Sequence, residues 1–273
     1  MIFFEVIYVH KLNPDSIFSA EQMRRFLIKE YKNTPIYIYN TIDSTNNEAK
    51  RKIRDGLSQK FVIVSNEQTG GRGRQGKSFF SPPGTGLYLS VVLFTPSVSE
   101  SLFITTAAAV LAARAIEEFA SCNIAIKWVN DLYREGKKVC GILTESVKCP
   151  QTDHGVGIIV GIGINLTTEN FPTEISSTAS SVGENIDRCA LAAKITENLF
   201  NVDLQKDAED YLREYRKRSM VIGKEITYYK NNVKYFATAI DIDRKGGLVV
   251  KNDDGLFITL DSGEITLRLK NND

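Results

Sequence analysis

The stretch "TGGRGRQGKSFFSP", residues 69–82, interleaves Gly70, Gly71, Gly73 and Gly76 with Arg72, Arg74 and Lys77. Glycine lets backbone N–H groups approach an anion because no Cβ intervenes, and arginine adds paired, charge-assisted donors. Carboxylate or phosphate binding is the chemistry this stretch suits. It lacks the Gly-Lys-Ser/Thr ending of a P-loop, and no apolar helix follows it as a dinucleotide fingerprint requires. Fixing such a chain costs about 1–2 kcal/mol per residue, and three like charges oppose it further. The expected behaviour is a lid that orders over a multiply charged ligand.

Three shorter stretches add to it. "KWVND" (127–131) gathers a lysine, the carboxamide of Asn130 and the carboxylate of Asp131, although Asn-Asp is also an ordinary turn pair. In "GKKVCGILTES" (136–146), Lys138 stands immediately before the apolar part of a strand, an unusual place for a cation without a partner. "GIGIN" (161–165) is a backbone open to close approach that ends on Asn165. No Ser/His or Cys/His constellation for covalent catalysis is evident. Cys122, Cys140, Cys149 and Cys189 show no CxxC pairing, and His10 and His154 are the only histidines. Free thiols in a reducing compartment are expected, with no zinc site.

The elements that must position these groups follow from periodicity. A helix is expected over 14–32, with Ile17, Met23, Phe26, Leu27 and Tyr31 on one apolar face. Strands are expected at 1–9, 36–42, 61–67, 86–94, 139–147 and 155–166, with a short one before Asn130. A hairpin is expected over "REGKK". Thr45 and Glu48 stand at capping-box spacing for a helix stopped by Gly56. Helices are also expected over 101–120 and 190–218. Beyond Gly223 the period changes to two, predicting a small β-barrel and a boundary near Ile222. The class is α+β. With 273 residues, 42% hydrophobic, 25% charged and net charge +1, the chain reads as a soluble, cytoplasmic protein with one large domain and a small appendage. It is not a polycation for nucleic acid or membrane, and no apolar run is long enough to span a bilayer.

Taken in order, "DSTNNEAK" (43–50), "EQTGGRGRQGKSFFSPPGTGLYLSVVL" (67–93), "KWVNDLYREGKKVCGILTE" (127–145) and "GIGINL" (161–166) resemble biotin protein ligases. The resemblance implies a catalytic domain with a mixed sheet, like that of class II aminoacyl-tRNA synthetases, over residues 1–221. An SH3-like β-barrel would follow over 222–273. It implies an AMP-forming, C–N bond-forming ligase: biotin and ATP with Mg2+ give biotinyl-5′-AMP, and biotin then passes to a lysine of a biotin carboxyl carrier domain.

By the same resemblance, Ser44, Thr45 and Gln68 line the biotin end. Gly71, Arg72 and Arg74 close over the adenylate, with Lys77 beside them. Phe79 stands where many members carry a tryptophan that stacks on adenine. Asn130 and Asp131 hold the phosphate and metal region. Lys138 meets the carboxylate and α-phosphate. Gly141, Gly161 and Gly163 form the pocket floor, and Asn165 reaches the nucleotide. Lys138, Arg72 and Arg74 would neutralise the two anions that react, and Asp131 is a candidate base for the acceptor amine, of which only about 0.04% is neutral at pH 7. Two positions depart from the family pattern: Val129 replaces a proline, which loosens the turn, and Cys140 replaces a small residue.

Residues 1–35 form a strand and helix extension too short for a helix-turn-helix, so no repressor function or specific DNA binding is expected. A homodimer stays open. Two alternatives remain at this stage: a lipoate–protein ligase, or a nucleic-acid-binding module built on the glycine/arginine loop.

Overall fold

The computed structural model describes residues 18–95, 101–149, 155–183, 186–203, 206–230, 233–261, 263 and 265–267. The strand expected at 1–9, and both histidines, lie outside the described residues.

The body is built on β1 (Ile36–Ile42), β2 (Phe61–Gln68), β3 (Gly86–Thr95), β4 (Ala125–Lys127), β5 (Asp131–Arg134), β6 (Lys137–Lys148) and β7 (Val156–Asn165). They form one sheet in the order β1-β2-β3-β7-β6-β5-β4. β1 and β2 run parallel, joined through helix α2 (Thr45–Arg54), and the other neighbours are antiparallel. The sheet is therefore mixed, as expected.

The first five residues of β2 and the first eight of β3 are buried, which accounts for their unbroken apolar runs. Burying each Val, Leu or Ile side chain contributes about 1.5–3 kcal/mol. Helices α3 (Ser101–Phe119), α5 (Arg188–Phe200) and α6 (Ala208–Arg218) belong to the large core, and a short helix α4 (Thr173–Ser176) lies between α3 and α5 in the chain. A second, smaller core centred on Ala49, Ile53, Phe61 and Ile159 lies beneath α2.

The expected small β unit is a five-stranded antiparallel sheet. It comprises β8 (Glu225–Lys230), β9 (Val233–Ile242), β10 (Leu248–Asn252), β11 (Phe257–Leu260) and β12 (Ile265–Leu267), in the order β11-β10-β9-β8-β12. Its inner residues, among them Ile226, Ala239 and Leu248, join the large core. Trp128 Nε1 donates to Gly246 O at 3.0 Å, and Met220 N donates to Ile126 O at 3.0 Å.

Three local expectations are corrected. The helix expected over 14–32 is α1 (Ala20–Phe26) followed by a 3-10 turn over Lys29–Tyr31. Leu27 turns extended and Ile28 N donates to Glu197, so Leu27 and Tyr31 both reach the core while Phe26 faces solvent. The helix expected over 190–218 is two helices. α5 is capped by Asp187, which accepts from the N–H groups of Cys189 and Ala190, and its end is followed by an Asn201–Asp203 stretch that favours local side-chain bonding over helix. At α2, Ser44 and not Thr45 is the N-cap. Thr45 is engaged by Gln68, and Glu48 pairs with Arg51 and Lys52, so no capping box forms.

Candidate active site

The N-terminus of α2 meets the end of β2 through one amide. Gln68 Oε1 accepts from Thr45 N at 2.9 Å and from Thr45 Oγ1 at 3.2 Å. Gln68 Nε2 donates to Ser81 Oγ at 3.0 Å, and Ser81 Oγ donates to Phe79 O at 3.0 Å. This chain of donors ties the helix start to both stems of the glycine-rich loop. Phe79 N donates to Gly71 O at 2.9 Å, and a Cβ at Gly71 would stand 2.6 Å from Ser81 Oγ. Gly71 is therefore needed for close approach. The loop carries a 3-10 turn at Arg74–Gly76, with Gln75 at φ 54°, and Gly73 N donates to Lys77 O at 2.7 Å. It is a tight excursion.

Below the loop, Gly141 and Gly163 are cross-strand partners on β6 and β7. The Phe79 ring lies across both. A Cβ at Gly141 would come within 3.2 Å of it, and one at Gly163 would overlap it. Gly161 serves a different neighbour, because a Cβ there would overlap the Asn46 carboxamide. Asn46 is buried. Its Oδ1 accepts from Ser90 Oγ at 2.7 Å, and its Nδ2 donates to Leu143 O at 3.1 Å and Glu145 Oε2 at 3.0 Å.

Ser44, Thr45, Gln68, Gly141, Gly161 and Gly163 line one pocket of about 30 Å3, about the share of a single water molecule. Phe79 is part of its wall and also of the wall of a larger cleft of about 380 Å3. The ring is thus the partition between a small pocket with a polar rim and a cationic cleft.

That cleft is bordered by Arg72, Arg74, Lys77, Lys127, Asp131 and Lys138. Lys138 Nζ pairs with Asp131 Oδ1 at 2.7 Å. Arg74 donates to Asn130 Oδ1 at 3.4 Å, and Asn130 Nδ2 donates to Ile142 O at 2.6 Å, so Asn130 fixes the turn to β6. Burial, and then the Asp131 charge, push the Tyr133 phenol up to about 12, so it is neutral. Thr266 of β12 also borders the cleft, which places the small sheet at its rim.

Arg72 crosses back to α2: Nη1 donates to Asn47 Oδ1 at 2.8 Å, and Nη2 pairs with Glu145 Oε1 at 3.3 Å. Glu145 also holds Lys50 Nζ at 2.7 Å. Burial disfavours its carboxylate, but the hydrogen bonds from Lys50 and Asn46 and the Lys50 and Arg72 charges outweigh that and lower its pKa.

Two expected features differ. Asn165 is buried, does not line either cavity, and donates to Ser180 O at 3.1 Å; it secures the 178–182 strand-like segment beside Lys138. Val129 does not loosen its turn, since it is buried and its carbonyl accepts from Tyr215 OH at 3.1 Å. Cys140 packs beneath the site, where burial pushes its thiol up. Sequence reasoning missed Asn46, Ser81 and Glu145. The signal was a polar side chain inside each otherwise matched segment, "STNN", "FFSP" and "GILTE".

Residues 38–165 match the Biotin/lipoate A/B protein ligase family, and residues 221–268 match the Biotin protein ligase C terminal domain. The chain is 28% identical over 254 residues to the bifunctional ligase/repressor BirA of Bacillus subtilis, spanning 87% of this chain and 76% of that protein. It is 26% identical over 240 residues to the biotin–[acetyl-CoA-carboxylase] ligase of Mycobacterium tuberculosis, covering 81% of this chain and 85% of the relative. Its structure is similar to the biotin protein ligase from Aquifex aeolicus in complex with biotin and ATP, with a TM-score of 0.72 at 27% identity, over 86% of this chain and 98% of that one. The two domain models in sequence, the mixed sheet followed by a small antiparallel sheet, and the agreement with a ligase structure over nearly its whole length converge: the chain belongs to the biotin protein ligase family.

Proposed function

We propose that the protein joins biotin and ATP into biotinyl-5′-AMP and pyrophosphate, then transfers biotin to a lysine of a biotin carboxyl carrier domain. The observation that carries this reading is the partition itself: a small pocket with a polar rim and a cationic cleft meet at Phe79 and Arg72. A carboxylate attacking an α-phosphate brings two anions together, so it needs cations at the junction and little else from the protein. Arg72 borders both cavities, and Arg74, Lys77 and Lys138 border the cleft. Ser44, Thr45 and Gln68 are the polar end of the biotin pocket, and Gly141, Gly161 and Gly163 its floor. Phe79 turns off the two glycines to admit biotin and provides an aromatic face for adenine. Asn130 orients Arg74, and Asn165 acts through the segment it holds.

Asp131 gives the cleft a carboxylate suited to magnesium, which commonly binds through one or two protein carboxylates together with substrate phosphates. When bound, the ion offsets phosphate charge. As Lys138 turns to the nucleotide, Asp131 becomes available to take a proton from the acceptor amine. We place the domain boundary at 221/222. The lipoate alternative is not favoured, because the second matching domain is one named for biotin ligases alone. Among the described residues no helix is long and apolar enough to cross a membrane.

Isothermal titration with biotin, then with biotin, ATP and magnesium, tests the reading when combined with mass spectrometry of the bound ligand. Recovery of biotinyl-5′-AMP is expected. A lipoyl-adenylate in its place, or no activation of either acid, overturns it.

A further inference from the structure

Glu145 lies seven residues along β6 from Lys138, yet it collects contacts from two other elements of the site. Lys50 and Asn46 come from α2, and Arg72 comes from the glycine-rich loop. Asn47, also on α2, takes the other terminal nitrogen of Arg72. The guanidinium is thus fixed at both ends in a plane that borders the small pocket and the cleft together. Two cations share this one carboxylate, so the cluster keeps an excess positive charge and does not quench Arg72 as a binder of anions. A flexible arginine on a glycine-rich loop loses rotamer and backbone freedom on binding, and a carboxylate that holds it beforehand removes part of that cost.

We propose that Glu145 is a positioning residue that presents Arg72 to the carboxylate of the acid substrate. Its own carboxylate is braced by Lys50 and Asn46. It touches neither substrate nor reacting atoms. The proposal rests on the biotin ligase reading above, and the test separates the two.

The test is biotin binding by titration calorimetry to the full chain as wild type, Glu145→Gln, Glu145→Asp, Arg72→Ala and the Arg72→Ala/Glu145→Gln double variant, together with steady-state adenylation. Loss of one charge-assisted constraint predicts about 10-fold weaker biotin binding in Glu145→Gln. Its biotin KM rises in parallel while kcat changes less than about 3-fold, the split expected for lost substrate binding. Glu145→Asp, with the charge kept and the reach shortened, falls in between. It also serves if Glu145→Gln shows no folded-state melting transition. In the Arg72→Ala background the Glu145→Gln change should have no further effect, because residues that act through one another are non-additive. Wild-type affinity in Glu145→Gln, or an undiminished effect without Arg72, overturns the proposal alone. Failure of the wild type to bind biotin overturns the ligase reading and the proposal with it.

Discussion

Asp131 Oδ1 and Lys138 Nζ stand 2.7 Å apart, a carboxylate and an ammonium presented by the neighbouring strands β5 and β6 at the wall of the cationic cleft. Both side chains are partly exposed, 23% and 32% respectively, and an ion pair in that setting contributes about 0–1 kcal/mol to stability. The pair is therefore better explained by chemistry than by folding. Lys138→Met should melt within about 4 °C of the wild type while biotin-dependent pyrophosphate exchange falls at least about 100-fold. For Asp131→Ala, single-turnover transfer from preformed adenylate should slow by about 100-fold, the scale of a lost general base. An unchanged transfer rate would remove Asp131 from that role.

Phe79 divides the two cavities by resting on a pair of glycines. Phe79→Ala removes the partition and the aromatic face together. The ATP KM is expected to rise about 10-fold, since loss of a base-stacking aromatic costs about 1–3 kcal/mol. Thermal stability should change little, because the ring is only half-buried. Steady-state kinetics with varied ATP provides the check.

Gly161→Ala tests a packing constraint. The added methyl overlaps the Asn46 carboxamide, whose two ends hold Ser90, Leu143 and Glu145. Overpacking at such a site costs about 1–3 kcal/mol, which for a chain of this size lowers Tm by several degrees. Differential scanning calorimetry should find that loss even in the absence of any substrate.

Acid should weaken the same region. The folded Glu145 carboxyl titrates below its ordinary value of 4.5, so its contribution to stability is present in full above that value. The contribution is lost as pH falls through the folded-state pKa. In melts between pH 3 and 7, the difference in Tm between wild type and Glu145→Gln should be largest above about pH 5 and shrink below about 4.5.

Much of this site is legible one element at a time. The glycine and arginine spacing of the loop, and Lys138 before an apolar strand, single out residues that the fold brings to one cleft. What resists reading is the division of labour on one face of β7. Gly157, Gly161 and Gly163 share that face by their even spacing, yet they admit Ile53, Asn46 and Phe79 respectively. A missing Cβ does not say what fills its place. Nor does local pattern reveal Asn46, whose partners lie 44 to 99 residues away. The early end of α1 was obscured because helical periodicity continues across Leu27, where the bond from Ile28 N to the distant Glu197 takes over; the break after α5 lies in the local Asn201–Asp203 stretch, a weaker signal than the apolar periodicity around it.

The indole N–H of Trp128 ends on Gly246 O, and Tyr215 closes on the carbonyl of the next residue, Val129. The turn that carries Asn130 and Asp131 is thereby clasped from outside by α6 and by the small sheet. Loosening that sheet by heat or denaturant should disturb the body as well, because its departure breaks the Trp128–Gly246 bond beside the Asn130–Asp131 turn and uncovers the shared core. The two parts of the chain are separable as motifs but share one core, so calorimetry should find a single cooperative transition with loss of activity coinciding with it.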